Sequence, residues 1–174
     1  LDYSYNNLVK NCTCVRNGHA GIVFGNSDNN IIQDCVAKNN YVHGIVLYDS
    51  DNNIITNCTA ENNNDKGIVL VRSQNNLIKN CIATNNVQGI WLENTSNNNV
   101  VDNCIVESNS LNGIGLWMYC ENNLIKNCTS DNNSNGIWLY YSDNNRISNN
   151  LVENTPQNND GIFLDYSNNN LIDN

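Results

Sequence analysis

The chain has 174 residues and a net charge of −9, and an acidic surface repels phosphate backbones, so nucleic acid is not the expected partner. No apolar run reaches the roughly 18 residues of a membrane span, so no membrane insertion is expected within this segment. Apolar residues make up 40% of the chain, enough for a continuous core, while 44 of the 174 residues are Asn, a residue that favours turns.

In chain order, a Gly-Ile pair opens the same phrase at Gly21, Gly44, Gly67, Gly89, Gly113, Gly136 and Gly161, with spacings of 23, 23, 22, 24, 23 and 25. Residues 1–20 are that phrase joined part-way, with Leu1 at the fourth place and Cys12 at the fifteenth. A fixed period in the twenties over a whole chain means one stacked solenoid. The expectation is a single domain over 1–174, read as a piece of a longer repeat protein because both ends fall in mid-phrase and no Met begins it.

Counting Gly as place one, the second place is always Ile, and the fourth is Phe24, Leu47, Leu70, Leu92, Leu116, Leu139 or Leu164. Such alternation predicts a strand with those residues facing in. A Ser-x-Asn-Asn turn usually follows, then Ile or Val at the twelfth place, Cys at the fifteenth and a small or aliphatic residue at the seventeenth. The phrases at Gly89 and Gly113 carry one extra residue before the seventh place, expected as a bulge. Three short strands per period, parted by polar corners, give an all-β, single-stranded parallel β-helix of about eight coils of 22–25 residues. At about 4.8 Å per coil, the rod is on the order of 35–40 Å long. Asn suits the corners because it tolerates left-handed backbone angles. Stacked amides can also bond from coil to coil, the most regular column being Asn7, Asn30, Asn53, Asn76, Asn99, Asn123, Asn145 and Asn170.

Six of the eight cysteines (Cys12, Cys35, Cys58, Cys81, Cys104 and Cys128) share the fifteenth place. In-register strands hold neighbours about 4.8 Å apart, whereas a disulfide needs Cβ atoms about 3.8 Å apart. The expectation is a ladder of buried thiols behaving as small hydrophobes; a straight column does not converge on a tetrahedral metal. Cys120 stands where other turns have Ser and is expected to be partly exposed.

The phrase Gly-Ile-x-Leu, then Ser-x-Asn-Asn-x-Ile-x-Asn, resembles the repeats of NosD-like and related carbohydrate-binding and sugar-hydrolase proteins of the pectate-lyase-like superfamily. The resemblance runs over essentially the whole chain. It implies a right-handed coil and an extracellular or cell-surface location. In enzymatic members it implies action on polysaccharides across the outer face of one sheet. The Cys at a corner departs from the Asn common in relatives, which Asn150 retains.

The outward places of the first strand hold Trp91, Trp138 and Phe163 at the third position and Tyr48, Trp117 and Tyr140 at the fifth. Exposed aromatic surface marks a contact site, for a glycan or for another protein. Gly115 lies between Trp91 and Trp138 and is expected to leave a notch. Asp28, Asp49 and Asp51 are the calcium candidates, since stacked carboxylates invite a cation, with Arg72 one coil on. His19 and His43 are expected as solvent-facing corner residues. No cofactor motif occurs. The phrase has few insertions, and catalysis usually resides in loops, which favours a non-catalytic spacer and contact module. The other reading is a polysaccharide lyase, hydrolase or epimerase. Open strand edges at both ends also raise head-to-tail self-association.

Overall fold

A computed structural model describes residues 1–173, and every regular element in it is a β-strand. One coil shows the plan, with strands Ile45–Tyr48, Ile54–Thr56 and Thr59–Glu61. Each strand pairs in parallel and in register with its equivalents in the coils before and after, as Ile45 does with Ile22 and Ile68. The result is three parallel sheets: a first sheet of seven strands that begin at the repeated glycines, a second of eight, and a third of seven. That count makes about seven complete coils, with an eighth strand in the second sheet alone.

The core runs as one column through the rod. Ile45, Leu47, Ile55 and Ala60 of one coil are fully buried, and so are Ile68, Leu70, Ile78 and Ala83 of the next. The repeated glycines do not owe their identity to backbone angle, because none has a positive φ. Close approach dictates them instead. A Cβ on Gly44 would sit 2.9 Å from Ala60 Cβ and 2.9 Å from Asn63 Nδ2, and would also run into Gly67 O.

Four corners close each complete coil, and each is a two-residue device. The first residue is left-handed, as at Asp49, Asn52, Asn57 and Asn62, with φ of 47°, 57°, 54° and 53°. The residue after it turns a small polar side chain inward to accept the backbone N–H of its counterpart one coil back. Ser27 N–H donates to Ser50 Oγ at 3.0 Å, Asn30 N–H to Asn53 Oδ1 at 2.8 Å, and Asn40 N–H to Asn63 Oδ1 at 3.0 Å. Buried backbone donors are thereby satisfied inside the core. The extra residue at Gly89 and Gly113 appears as two left-handed residues in succession, Asn94-Thr95 and Met118-Tyr119.

The cysteine column is the fourth such ladder. Cys12 N–H donates to Cys35 Sγ at 3.4 Å, and Cys104 N–H to Cys128 Sγ at 3.5 Å. Each thiol also donates to the carbonyl two residues back, as Cys35 does to Gln33 O at 3.2 Å. Asn150 does the same work with its amide, accepting Cys128 N–H at 2.9 Å. All eight cysteines are free thiols. Cys120 departs from expectation: it is wholly buried, because it occupies the inward rung of the serine ladder, its N–H donating to Ser142 Oγ at 3.2 Å and its thiol to Trp117 O at 3.3 Å. Burial pushes its thiol up to a pKa of about 12.

Candidate functional site

The outer face of the first sheet changes character along the rod. Its third-place column runs Val23, Val46, Val69, Trp91, Gly115, Trp138 and Phe163, in register across the coils. The valine half is itself packed, with Val46, Val69, Val71 and Trp91 forming a small apolar cluster outside the main core. Tyr48, Trp117 and Trp138 lean against it.

Gly115 does not leave a notch. A Cβ there would run into the six-membered ring of Trp91, which lies down across it. Trp91 is therefore only 3% exposed and forms a floor. Its centroid is 6.3 Å from Trp117 and 6.0 Å from Trp138. Trp117 stacks on Tyr140 at 4.3 Å, and Trp138 lies parallel to Phe163 at 6.4 Å. Five of the six predicted face residues thus form one continuous aromatic field. Tyr48 stands apart, because Val71 and Glu93 occupy its column between it and Trp117.

The field borders a groove of about 450 Å³, whose floor and one wall are Trp91, Trp117 and Trp138. The other wall comes from the residues just before successive glycines: Lys66, Gln88, Asn112 and Asn135. Sequence reasoning missed this column because the place before Gly varies in chemistry from coil to coil; a tally of that place would have shown amides facing the tryptophans. Asn135 Nδ2 donates to Asn112 Oδ1 at 2.8 Å, fixing both amides. Two polar atoms of groove residues, Gln88 Oε1 and Trp138 Nε1, are buried without a hydrogen-bond partner among the described residues.

Charge gathers at one end of the groove. Lys66 Nζ lies 3.2 Å from Asp65 and 3.8 Å from Glu93. His43 is a buried residue, 8% exposed, rather than a solvent-facing corner. It lies one coil below Lys66, and its Nδ1 accepts Lys66 N–H at 3.3 Å. Burial pushes its pKa down to about 4, against the pull of Asp65. The 3.6 Å approach of Asp65 to the same nitrogen is thus not an ion pair near neutrality, since Nδ1 is already accepting. Burial also raises Tyr48, with Glu93 and Asp65 adding to it.

A second aromatic column, also unforeseen, stands at the neighbouring corner: Tyr119, Tyr141 and Tyr166, all left-handed, with φ of 63°, 45° and 47°. Tyr141 and Tyr166 stack at 4.7 Å with an interplanar angle of 5°. With Glu121, Asp143 and Asn168 they line a smaller cavity of about 280 Å³.

The calcium candidates are engaged elsewhere. Asp49 forms a two-pronged pair with Arg72 at 2.7 Å, which holds its carboxyl below the ordinary range. Asp28 Oδ1 accepts Asp51 N–H at 2.8 Å, and Asp51 Oδ1 accepts Gln74 N–H at 2.6 Å. Among the described residues there is no group of three or more His, Cys, Asp or Glu able to hold a metal, and no helix long and apolar enough to cross a membrane.

The sequence matches the right-handed β-helix region family over residues 1–130 and 96–174, which together cover the chain. It belongs to that family. The solenoid is accordingly right-handed. Among solved structures it is similar to the periplasmic alginate epimerase AlgG, with a TM-score of 0.77 and 21% identity over 83% of this chain and 35% of that one. It is similar to pectate lyase Pel9A, with a TM-score of 0.62 and 17% identity over 90% of this chain and 50% of that one. It also resembles the A-module of the Azotobacter vinelandii mannuronan C-5 epimerase AlgE4, at 0.61 and 14%, over 97% of this chain and 55% of that one. The chain therefore spans from about a third to just over half the length of these structures. At such identities the likeness is one of fold. No curated protein matches the chain in sequence.

Proposed function

We propose that this chain is a non-catalytic β-helix module of an extracellular or cell-surface protein, and that it contacts a polysaccharide along the outer face of its first sheet. The observation that carries the reading is the groove of about 450 Å³ with indoles on one side and amides on the other. Flat rings suit the apolar faces of sugars, and fixed amides suit their hydroxyls. The polysaccharide-active names of the structural neighbours support the same ligand class. The rest of the rod serves as a rigid scaffold that holds these rings in line.

Tryptophan fluorescence during titration with polysaccharides tests it. Trp117→Ala or Trp138→Ala should weaken binding by about tenfold, worth about 1.4 kcal/mol. A wild-type protein whose fluorescence ignores every polysaccharide tried would rule the reading out.

A second reading, a polysaccharide lyase or epimerase, draws on the charged end of the groove. Proton removal beside a sugar carboxylate needs a base and a cation. His43 is neutral through burial, its Nδ1 accepting the backbone N–H of Lys66 at 3.3 Å, and the Lys66 side chain is the cation at that end of the groove. Turnover of a polyuronate that disappears in both His43→Gln and Lys66→Gln would establish this reading over the module.

A further inference from the structure

The groove's chemistry discriminates among polysaccharides. On the reading that the groove holds a glycan, we infer that the glycan is neutral rather than a polyuronate. Among the described residues lining the groove the one cation is Lys66, and it is already faced by two carboxylates, Asp65 at 3.2 Å and Glu93 at 3.8 Å. Nothing is left over to balance an incoming sugar carboxylate. The remaining polar wall consists of the amides of Gln88, Asn112 and Asn135, which carry no net charge.

The unpaired atoms point the same way. Trp138 Nε1–H is a donor and Gln88 Oε1 an acceptor, both buried and unpartnered among the described residues. Hydroxyl groups donate and accept, so a polyol satisfies both atoms. A carboxylate accepts only: it could serve Trp138, but it would meet Gln88 Oε1 and Glu93 oxygen to oxygen. Beyond the groove, the neighbouring tyrosine corner carries Glu121 and Asp143. The chain as a whole carries −9, so the long-range field also opposes a polyanion.

The field of rings from Trp91 to Phe163 spans three coil steps of the first sheet, about 14 Å at roughly 4.8 Å each. The ligand is accordingly a chain of several sugars laid along the rod axis.

The test is calorimetric titration of the chain with soluble neutral polysaccharides (a glucan, a mannan and a xylan) and with polymannuronate and polygalacturonate, each in chelator and in calcium, at low and high salt. A neutral glycan should bind with an affinity that salt changes by less than about twofold, since no charge pair forms. Trp138→Phe, which keeps a ring but removes Nε1–H, should weaken it severalfold while the circular dichroism spectrum stays native. The inference is overturned if a polyuronate binds as tightly as, or more tightly than, every neutral glycan, and Lys66→Gln abolishing that binding would explain why. Such a result would leave the glycan reading of the groove intact. Binding of neither class removes both.

Discussion

Two asparagine columns look alike in sequence and should respond very differently to substitution. Asn76 is 1% exposed and has no positive φ. Its Oδ1 accepts the buried N–H of Asn53 at 2.8 Å, and its Nδ2 donates to Asn99 at 3.2 Å. Asn76→Ala strands the Asn53 donor inside the core, at about 1–3 kcal/mol, and loses a second bond worth about 1 kcal/mol. The expected total is about 2–4 kcal/mol, or on the order of 10 °C in Tm for a chain of this size. Asn80, by contrast, is exposed and left-handed, with φ of 53°. Its side chain exchanges hydrogen bonds with Asn57 and Asn103 in a solvated ladder. There Asn80→Ala should cost about 1 kcal/mol, mostly for placing a Cβ residue without a local polar partner at positive φ. Asn80→Gly should be nearly neutral, because Gly enters that region freely, whereas Asn76→Gly should be at least as harmful as Asn76→Ala. Urea unfolding followed by circular dichroism separates these outcomes. Equal losses for Asn76→Ala and Asn80→Ala, or a rescue of position 76 by Gly, would refute the division into hydrogen-bonding and conformational columns.

Other consequences follow from the same packing. Gly44→Ala should destabilise by more than about 2 kcal/mol through overpacking, while Gly18→Ala, whose Cβ would meet nothing within 4 Å, should be silent in the same unfolding assay. His43 has its pKa lowered from 6.5 to about 4, so between those values the unfolded chain binds a proton that the folded chain refuses. Its contribution is fully present above pH 6.5 and fades as pH falls toward 4, a loss of about 2–3 kcal/mol. The pH slope of urea unfolding should therefore flatten in His43→Gln, and an unchanged slope would contradict the burial of that ring. Labelling with a thiol reagent should modify Cys12 and Cys14, which are partly exposed, long before the six buried thiols. Cys128 is the extreme case, its thiol pushed up by its hydrogen bond with Cys104 and then by burial. Uniform labelling of all eight in native protein would be inconsistent with the ladder. Finally, Trp91→Ala should lower stability as well as binding, since that ring fills the space over Gly115, whereas Trp117→Ala should act mainly on binding.

The period of the glycines and the purity of the Ile and Leu places determined the architecture without any structure. A strand with one buried face leaves a period-two record, and a repeated coil writes that record again every 22–25 residues. The asparagine corners were legible for the same reason, because left-handed backbone selects a narrow set of side chains. Inward rungs were legible as columns but not as bonds. Cys and Asn exchange at one rung because Cys128 and Asn150 serve neighbouring coils through the same N–H contact, which only the stacked coils display. The aromatic strip was legible as a list of outward residues; its shape was not. Rotamers of large rings are chosen by their neighbours, so tertiary structure alone decided that Trp91 lies across Gly115 and fills the expected gap. It alone also joined Lys66, Gln88, Asn112 and Asn135 to the tryptophans, because contact between coils depends on distance in space, where residues about 23 apart in sequence become next neighbours. Sequence fixes what each coil repeats; the groove arises where coils differ, and those differences acquire meaning only when the coils are stacked.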